Sequence, residues 1–257
     1  MGKRLVDTGI TNYSYDKDNR PTSDTYNRNY TDNKTQSYKV EKFYDSLGRI
    51  KDSLINGYYR TEYFYKAGND ANSTTSQIEK IKNGGKEIAY TYDKNGNIET
   101  ILENGKTIKY YYNELNEVIR EDNGILGKTI VYSYDIGGNI LSKKEYEPIE
   151  GEVTAVHSPT KVTNYTYEDS VWRDKLSSYN GKSITYDQIG NPLTYDGYNF
   201  TWEMGRQLKS INGNGKAISY KYNDSGIRTE KIVDGVTTNY HLVGDKVTFE
   251  GSGSDKI

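Results

Sequence analysis

The chain has 257 residues, only 33% of them hydrophobic, and 27 tyrosines supply a large part of that share. This excludes a thick aliphatic core and favours a two-faced sheet whose tyrosine rings cover apolar surface while their hydroxyls meet water. Lys and Arg number 34 against 36 Asp and Glu, so no basic field exists to hold a phosphate backbone, and the absence of cysteine removes disulfides, thiolate zinc sites and thiol nucleophiles together.

Residues 1–10 carry two early cations but no apolar run of signal-peptide length, and no later stretch approaches the ~20 apolar residues of a membrane-spanning helix. The chain then repeats one phrase, Tyr-x-Tyr-Asp-x-x-Gly. An offset copy is Phe43, Tyr44, Asp45, Gly48 and Arg49. Clean copies follow at Tyr90, Tyr92, Asp93, Gly96 and Asn97, and at Tyr132, Tyr134, Asp135, Gly138 and Asn139. Another is Tyr186, Asp187, Gly190 and Asn191, with Ile184 in place of the first tyrosine. The aromatic residue before each turn gives the markers Tyr15, Tyr44, Tyr65, Tyr92, Tyr112, Tyr134, Tyr167, Tyr186, Trp202, Tyr222 and Tyr240. Most lie about 20 residues apart, the period of a repeat array. Three longer steps contain polar inserts at 21–37, 67–77 and 145–161.

Two turn signals alternate. In Asp-x-x-Gly the carboxylate accepts from backbone N–H groups ahead of it, and glycine takes the positive φ of a short hairpin loop. Asn113 to Asn116 replaces both residues with asparagine, which tolerates both tasks. The second signal is a two-residue type I′ turn at Asn83–Gly84, Asn104–Gly105, Asn180–Gly181, Asn212–Gly213 and Asp234–Gly235. The segments between are short and rich in β-branched and aromatic residues, which predicts strands. Tyr90 and Tyr92 share one strand face, and Ile98, Ile140, Leu193 and Leu208 are expected to fill that face on the returning strands. The expected fold is all-β: an antiparallel meander of about eleven β-hairpins in one array, coiled into a curved open sheet or partial hollow shell.

The ending is more specific: Phe200, Thr201, Trp202, Glu203, Gly205, Arg206, Gln207 and Leu208, then Tyr220, Tyr222, Gly226, Ile227, Arg228 and Thr229, then Val236 to Tyr240 before Gly244, Asp245 and Lys246. It closely resembles the C-terminal part of the YD-repeat region of bacterial Rhs and wall-associated proteins, relatives of toxin-complex shells and teneurins. The resemblance covers most of the chain and is weakest before Lys42. It implies a non-catalytic scaffold, secreted or at the bacterial cell surface as part of a longer protein. The implied partners are a C-terminal toxin cargo or cell-surface components. The shell-closing core and the toxin are expected to lie outside this chain. About 22 strands at ~4.8 Å each make a ribbon ~105 Å wide, which closes to a ring of ~33 Å. A ~100-residue cargo needs more room than that, so this chain is expected to supply one arc of a larger shell.

Other readings are weaker. The repeated aspartates suggest a paired-carboxylate glycosidase, but each sits in a turn phrase that accounts for it, and Asn223 replaces it in one copy. Asp16 to Asp18 lacks calcium-loop spacing, and His157 and His241 stand in no triad-like phrase. No catalytic residue, cofactor or metal is expected. The alternative function is a carbohydrate- or cell-wall-binding adhesin module, motivated by the tyrosines, although such arrays lean on tryptophan and this chain has only Trp172 and Trp202. Open sheet edges are expected to favour self-association.

Overall fold

The computed structural model describes residues 8–29, 35–243 and 245–252. Residues 1–7, the centre of the first expected insert (30–34) and Gly244 of the ending lie outside the described residues. All described secondary structure is β: β1 (Thr8–Tyr15), β2 (Pro21–Asn29), β3 (Thr35–Tyr44), β4 (Ile50–Ile55), β5 (Tyr59–Ala67), β6 (Thr74–Asn83), β7 (Lys86–Tyr92), β8 (Ile98–Glu103), β9 (Lys106–Tyr112), β10 (Val118–Asn123), β11 (Lys128–Tyr134), β12 (Ile140–Tyr146), β13 (Lys161–Thr166), β14 (Ser178–Tyr179), β15 (Lys182–Tyr186), β16 (Pro192–Tyr195), β17 (Tyr198–Glu203), β18 (Gln207–Gly213), β19 (Lys216–Tyr222), β20 (Arg228–Val233), β21 (Val236–Val243) and β22 (Lys246–Ser252). Among the described residues no helix is long and apolar enough to cross a membrane.

The chain divides into two compact units, Met1–Val131 with Glu145–Ser158, and Tyr132–Lys144 with Pro159–Ile257. In the first, β1 to β10 pair consecutively and antiparallel, and β10 continues onto the Lys128–Val131 part of β11. In the second, β13 to β22 pair in the same consecutive order. This is the expected meander. Its interior is thin: among the described residues only Ile130 and Tyr146 are buried apolar side chains, accompanied by buried polar ones such as Asp52, Asn123, Thr129 and Asn191.

Several local expectations need correction. Residues 21–29, read as part of a polar insert, form β2 and pair on both sides. Thr22, Thr25 and Tyr26 are strand formers, and Pro21 occupies the first strand position, where a missing donor costs little. The second insert shrinks, because β5 and β6 pair out to Ala67 and Thr74 and leave residues 68–73 as the loop. The third is a true loop, 147–160, between β12 and β13.

Two tight turns are shifted. Asn104–Gly105, Asn180–Gly181 and Asp234–Gly235 hold the paired positive φ of type I′ turns, but the other two turns fall on Gly84–Gly85 and Asn214–Gly215. The adopted phases put Ile81 opposite Ile88 and Ile211 opposite Ile218. The Asn83 and Asn212 phases would set each isoleucine opposite a polar residue, so cross-strand apolar pairing decides between neighbouring turn signals. Leu193 is also displaced: Pro192 opposes Tyr186, and Leu193 is the extra residue of a β-bulge. Ile98 and Leu208 do face the marker aromatics, opposite Tyr92 and Trp202.

Candidate functional site

The repeated chemistry is concentrated in the Asp turns. Asp93 Oδ1 accepts from the backbone N–H of Asn95 and Asn97, both at 2.9 Å, while Oδ2 accepts from the Asn97 side chain at 3.0 Å. The Gly96 N–H donates to the Asp93 carbonyl at 3.1 Å, with φ at +89°. Asp135 with Asn139 and Asp187 with Asn191 repeat these bonds. At Asp45 and Asp16, arginine takes the fifth position, and Arg49 Nε and Arg20 Nε reach the carboxylates at 2.7 Å. Asn113 reverses the polarity: its Oδ1 accepts from the backbone of Leu115 and Glu117, while its Nδ2 donates to Glu117 Oε2 at 2.6 Å. Asn116, at φ +61°, does the work of the missing glycine.

These bonds set the electrostatics. At Asp93 and Asp187 partial burial pushes the carboxyl up, but the donors from Asn97 and Asn191 outweigh it and hold the group below its ordinary range. At Asp135 the Asn139 side chain is the main cause of the same downward shift, and at Asp16 it is the Arg20 backbone N–H. The carboxylates are therefore ionised acceptors consumed by their own turns, the reverse of what a general acid requires. Asp169 is held furthest down, to about 2, by Lys175 and by the N–H groups of Trp172 and Val171.

A second set of bonds joins successive hairpins within each unit. The hydroxyl of Tyr44 donates to the carbonyl of Pro21 (2.7 Å), Tyr65 to Ile50 (2.9 Å), Tyr92 to Ile78 (2.7 Å), Tyr112 to Ile98 (2.7 Å) and Tyr222 to Leu208 (2.9 Å). Each accepting residue is the one that pairs with the previous marker aromatic: Pro21 opposes Tyr15, Ile50 opposes Tyr44, Ile78 opposes Tyr65 and Leu208 opposes Trp202. Trp202 uses Nε1 for the same purpose, on Pro192 at 2.7 Å, and Tyr186 reaches Leu176 at 2.7 Å. Burial pushes the Tyr92, Tyr112 and Tyr186 phenols up, consistent with neutral donors.

The first tyrosine of each phrase has another position. Tyr90 opposes Ile101, and Tyr220 opposes Lys231 with the Arg228 guanidinium 4.1 Å from its ring centre. Tyr132 and Tyr134 lie in β11. In the ending, Arg206 Nη2 donates to the Ile189 carbonyl at 3.0 Å, and Asn191 Nδ2 donates to the Gly205 carbonyl at 2.6 Å. Gly205 and Gly226 take positive φ, as do Gly48, Gly138 and Gly190.

Three features escaped sequence reasoning. The fifth turn residue links neighbouring turns: Asn97 Nδ2 reaches Asn116 Oδ1 at 2.8 Å, and Arg49 stacks 3.9 Å from the Tyr65 ring centre. The residue between the paired tyrosines, or its equivalent, makes cross-strand hydroxyl pairs, Thr91 with Thr100, Ser133 with Ser142, Thr185 with Thr194 and Thr201 with Ser210, all within 2.6–2.7 Å. The alternation of Thr or Ser with Tyr could have signalled it. Finally, in the first unit Arg120 clamps the start of the 147–160 loop through the carbonyls of Ile149 (2.8 Å) and Gly151. Asp122 orients Arg120 and also accepts from Thr129, which in turn accepts from the Ile149 N–H. A cleft of about 900 Å³ lies beside this clamp, lined in part by Tyr111, Ile119, Pro148 and Glu152. Three segments, 107–111, 119–129 and 148–152, come together to build it, so no single local motif announces it. His157 stays outside these networks: its Nδ1 accepts from the Thr154 N–H at 3.0 Å and closes a local turn.

No protein-family model matches the chain. Among curated proteins it is similar to the tRNA nuclease WapA of Bacillus subtilis (strain 168), at 29% identity over 70% of this chain and 10% of the relative. It is also similar to the tRNA3(Ser)-specific nuclease WapA of Bacillus spizizenii, at 25% identity over 70% of this chain and 10% of the relative. The chain thus spans about a tenth of the length of the curated relatives it matches. Its fold resembles that of the crystallised TcdB2-TccC3-Cdc42, with TM-score 0.63 and 17% identity over 90% of this chain and 13% of that one. The TcdB2–TccC3 structure without its hypervariable C-terminal region gives 0.62 and 17% over 93% and 13%. These likenesses support a structural repeat segment of the Rhs, or YD-repeat, type.

Proposed function

We propose that this chain is a non-catalytic wall segment of an Rhs-type shell that surrounds a toxin borne by the same polypeptide and acts outside the cell or at its surface. The observation that carries the reading is the hydroxyl-to-carbonyl link repeated from hairpin to hairpin, which together with the aspartate turns gives the repeat's side chains a role in construction. The similarity of the fold to toxin-complex structures supports it. The test is limited proteolysis of the complete open reading frame that carries these residues. Sequence beyond Ile257 is expected to resist cleavage until Tyr92→Phe and Tyr112→Phe together loosen the wall. Cleavage as fast before the substitutions as after them, or a reading frame that ends at Ile257, overturns containment. The non-catalytic part has its own test. Purified chain incubated with tRNA is expected to leave it intact, and cleavage would place nuclease chemistry in the repeats.

One observation favours the adhesin alternative. Tyr58 and Tyr59 are 69% and 61% exposed, with ring centres 4.9 Å apart, beside a small cleft lined by Arg60, Glu62, Lys82 and Glu87. Exposed rings next to hydrogen-bonding side chains suit a sugar face. A glycan array showing binding that Tyr58→Ala and Tyr59→Ala abolish would move the assignment to this reading.

A further inference from the structure

We infer that Asn104–Gly105 is a site of spontaneous covalent modification, at which the asparagine converts to aspartate and isoaspartate faster than at the other asparagine–glycine turns of this chain. Eight Asn–Gly pairs occur, at Asn56, Asn83, Asn95, Asn104, Asn123, Asn180, Asn212 and Asn214. The reaction needs two free groups. The glycine backbone nitrogen attacks the asparagine Cγ, forming a C–N bond as its proton passes to solvent hydroxide and the side-chain nitrogen leaves as ammonia. Water then opens the cyclic imide at either carbonyl, so the balance is asparagine plus water giving the acid plus ammonia, with no oxidant or enzyme.

In seven of the pairs the structure holds one of these groups or sets the pair in a strand. Asn56 Oδ1 accepts from the Lys39 N–H at 2.8 Å, and Asn180 Oδ1 accepts from the Asn164 N–H at 2.9 Å, so the neighbouring strand pins each side chain. Asn214 Nδ2 is tied to the Asp196 carbonyl at 2.8 Å. The attacking nitrogen is occupied at Gly96, which donates to the Asp93 carbonyl, and at Gly124, which donates to the Thr107 carbonyl at 2.9 Å. Asn83 and Asn212 belong to β6 and β18, and Gly84 N–H is directed to the Arg60 carbonyl.

Asn104 has neither restraint. It is exposed at the tip between β8 and β9, at φ +51°, and its side chain makes no hydrogen bond among the described residues. A side chain added at Gly105 would meet nothing within 4 Å, as at Gly57 and Gly181, so the difference between these turns lies in the asparagine side chain. The register of β7 and β8, with Ile88 opposite Glu103, brings Glu87 to the place that Lys39 and Asn164 occupy beside the other turns, and no bond forms there. The chain already houses the aspartate product elsewhere: Asp234 fills the equivalent position of another turn and accepts from the Ala217 N–H at 2.9 Å. Isoaspartate, in contrast, adds a methylene to the main chain of a two-residue turn and loosens the β8–β9 tip.

Peptide mapping with isoaspartate detection, after incubation of the intact chain in mildly alkaline buffer, tests this. In the folded chain the Asn104 peptide should convert about two- to tenfold faster than the Asn56 and Asn180 peptides, the factor that one retained hydrogen bond is worth. In denaturant the three should converge, because the sequence after each asparagine begins with glycine. Equal rates in the folded chain overturn the assignment. An identical spread in denaturant overturns its structural cause.

Discussion

Asn113 and Glu117 carry out with exchanged chemistry what Asp93 and Asn97 do: one oxygen takes two backbone N–H groups, and the second side-chain contact joins a donor to an acceptor in the opposite direction. The turn thus selects a pair, and an isolated charge is not the requirement. Asp93→Asn alone sets one amide N–H against another and is expected to lower the melting temperature by a few degrees. Adding Asn97→Glu should restore most of the loss, and a thermal-denaturation cycle with no recovery in the double variant would refute the pairing. The acid side follows from the same residues. Each of these aspartates is more acidic folded than unfolded, so its contribution is complete above the ordinary value of 3.8 and disappears as pH falls through the folded value, which for Asp169 is about 2. Circular dichroism on acid titration should show the melting temperature falling only below that ordinary value. A fall centred near neutrality would contradict the assignment.

At the level of the hairpin, the tyrosine hydroxyl joins elements that backbone pairing alone would leave adjustable. Tyr92→Phe, Tyr112→Phe and Tyr222→Phe keep the ring and remove one link each, at a cost of about 0.5–1.5 kcal/mol per site by denaturant titration. Costs near zero at all three would make the links incidental. The linked phenols at Tyr92 and Tyr112 are shifted upward, so the stability they provide is complete below the ordinary value of 10.0 and is lost as pH rises through the folded value. Tyrosinate absorbance should therefore rise together with loss of β signal in strong alkali. Much of the hairpin pattern was legible in sequence because each turn is a local event: an aspartate, a glycine and the intervening residues specify it without help. The shifted turns at Gly84 and Gly215 were not legible locally, because Ile81 with Ile88 and Ile211 with Ile218 decided them across the strands. Pro21 was misread for a related reason, since the sequence shows its missing donor but not that it opens a strand.

At the scale of the whole chain, stabilisation is spread among neighbours, because among the described residues only Ile130 and Tyr146 are buried apolar side chains. Repeat arrays of this kind approximate a chain of nearest-neighbour terms. With the chain divided into two compact units, calorimetry is expected to show unfolding broader than a single two-state transition, and one sharp peak whose calorimetric and van't Hoff enthalpies agree would contradict that view. The repeat count was readable from the eleven markers, whereas the two-unit division, the Arg120 clamp and the Asn104 exception depend on contacts between distant residues. The direction of the hydroxyl links adds something else. Tyr65, Tyr92, Tyr112 and Tyr222 each reach back to a carbonyl 14 or 15 residues earlier. A hairpin leaving the ribosome therefore finds its acceptor already made and never waits for a residue still to be translated. Synthesis from the N-terminus and assembly of the sheet run in the same direction, one tooth at a time.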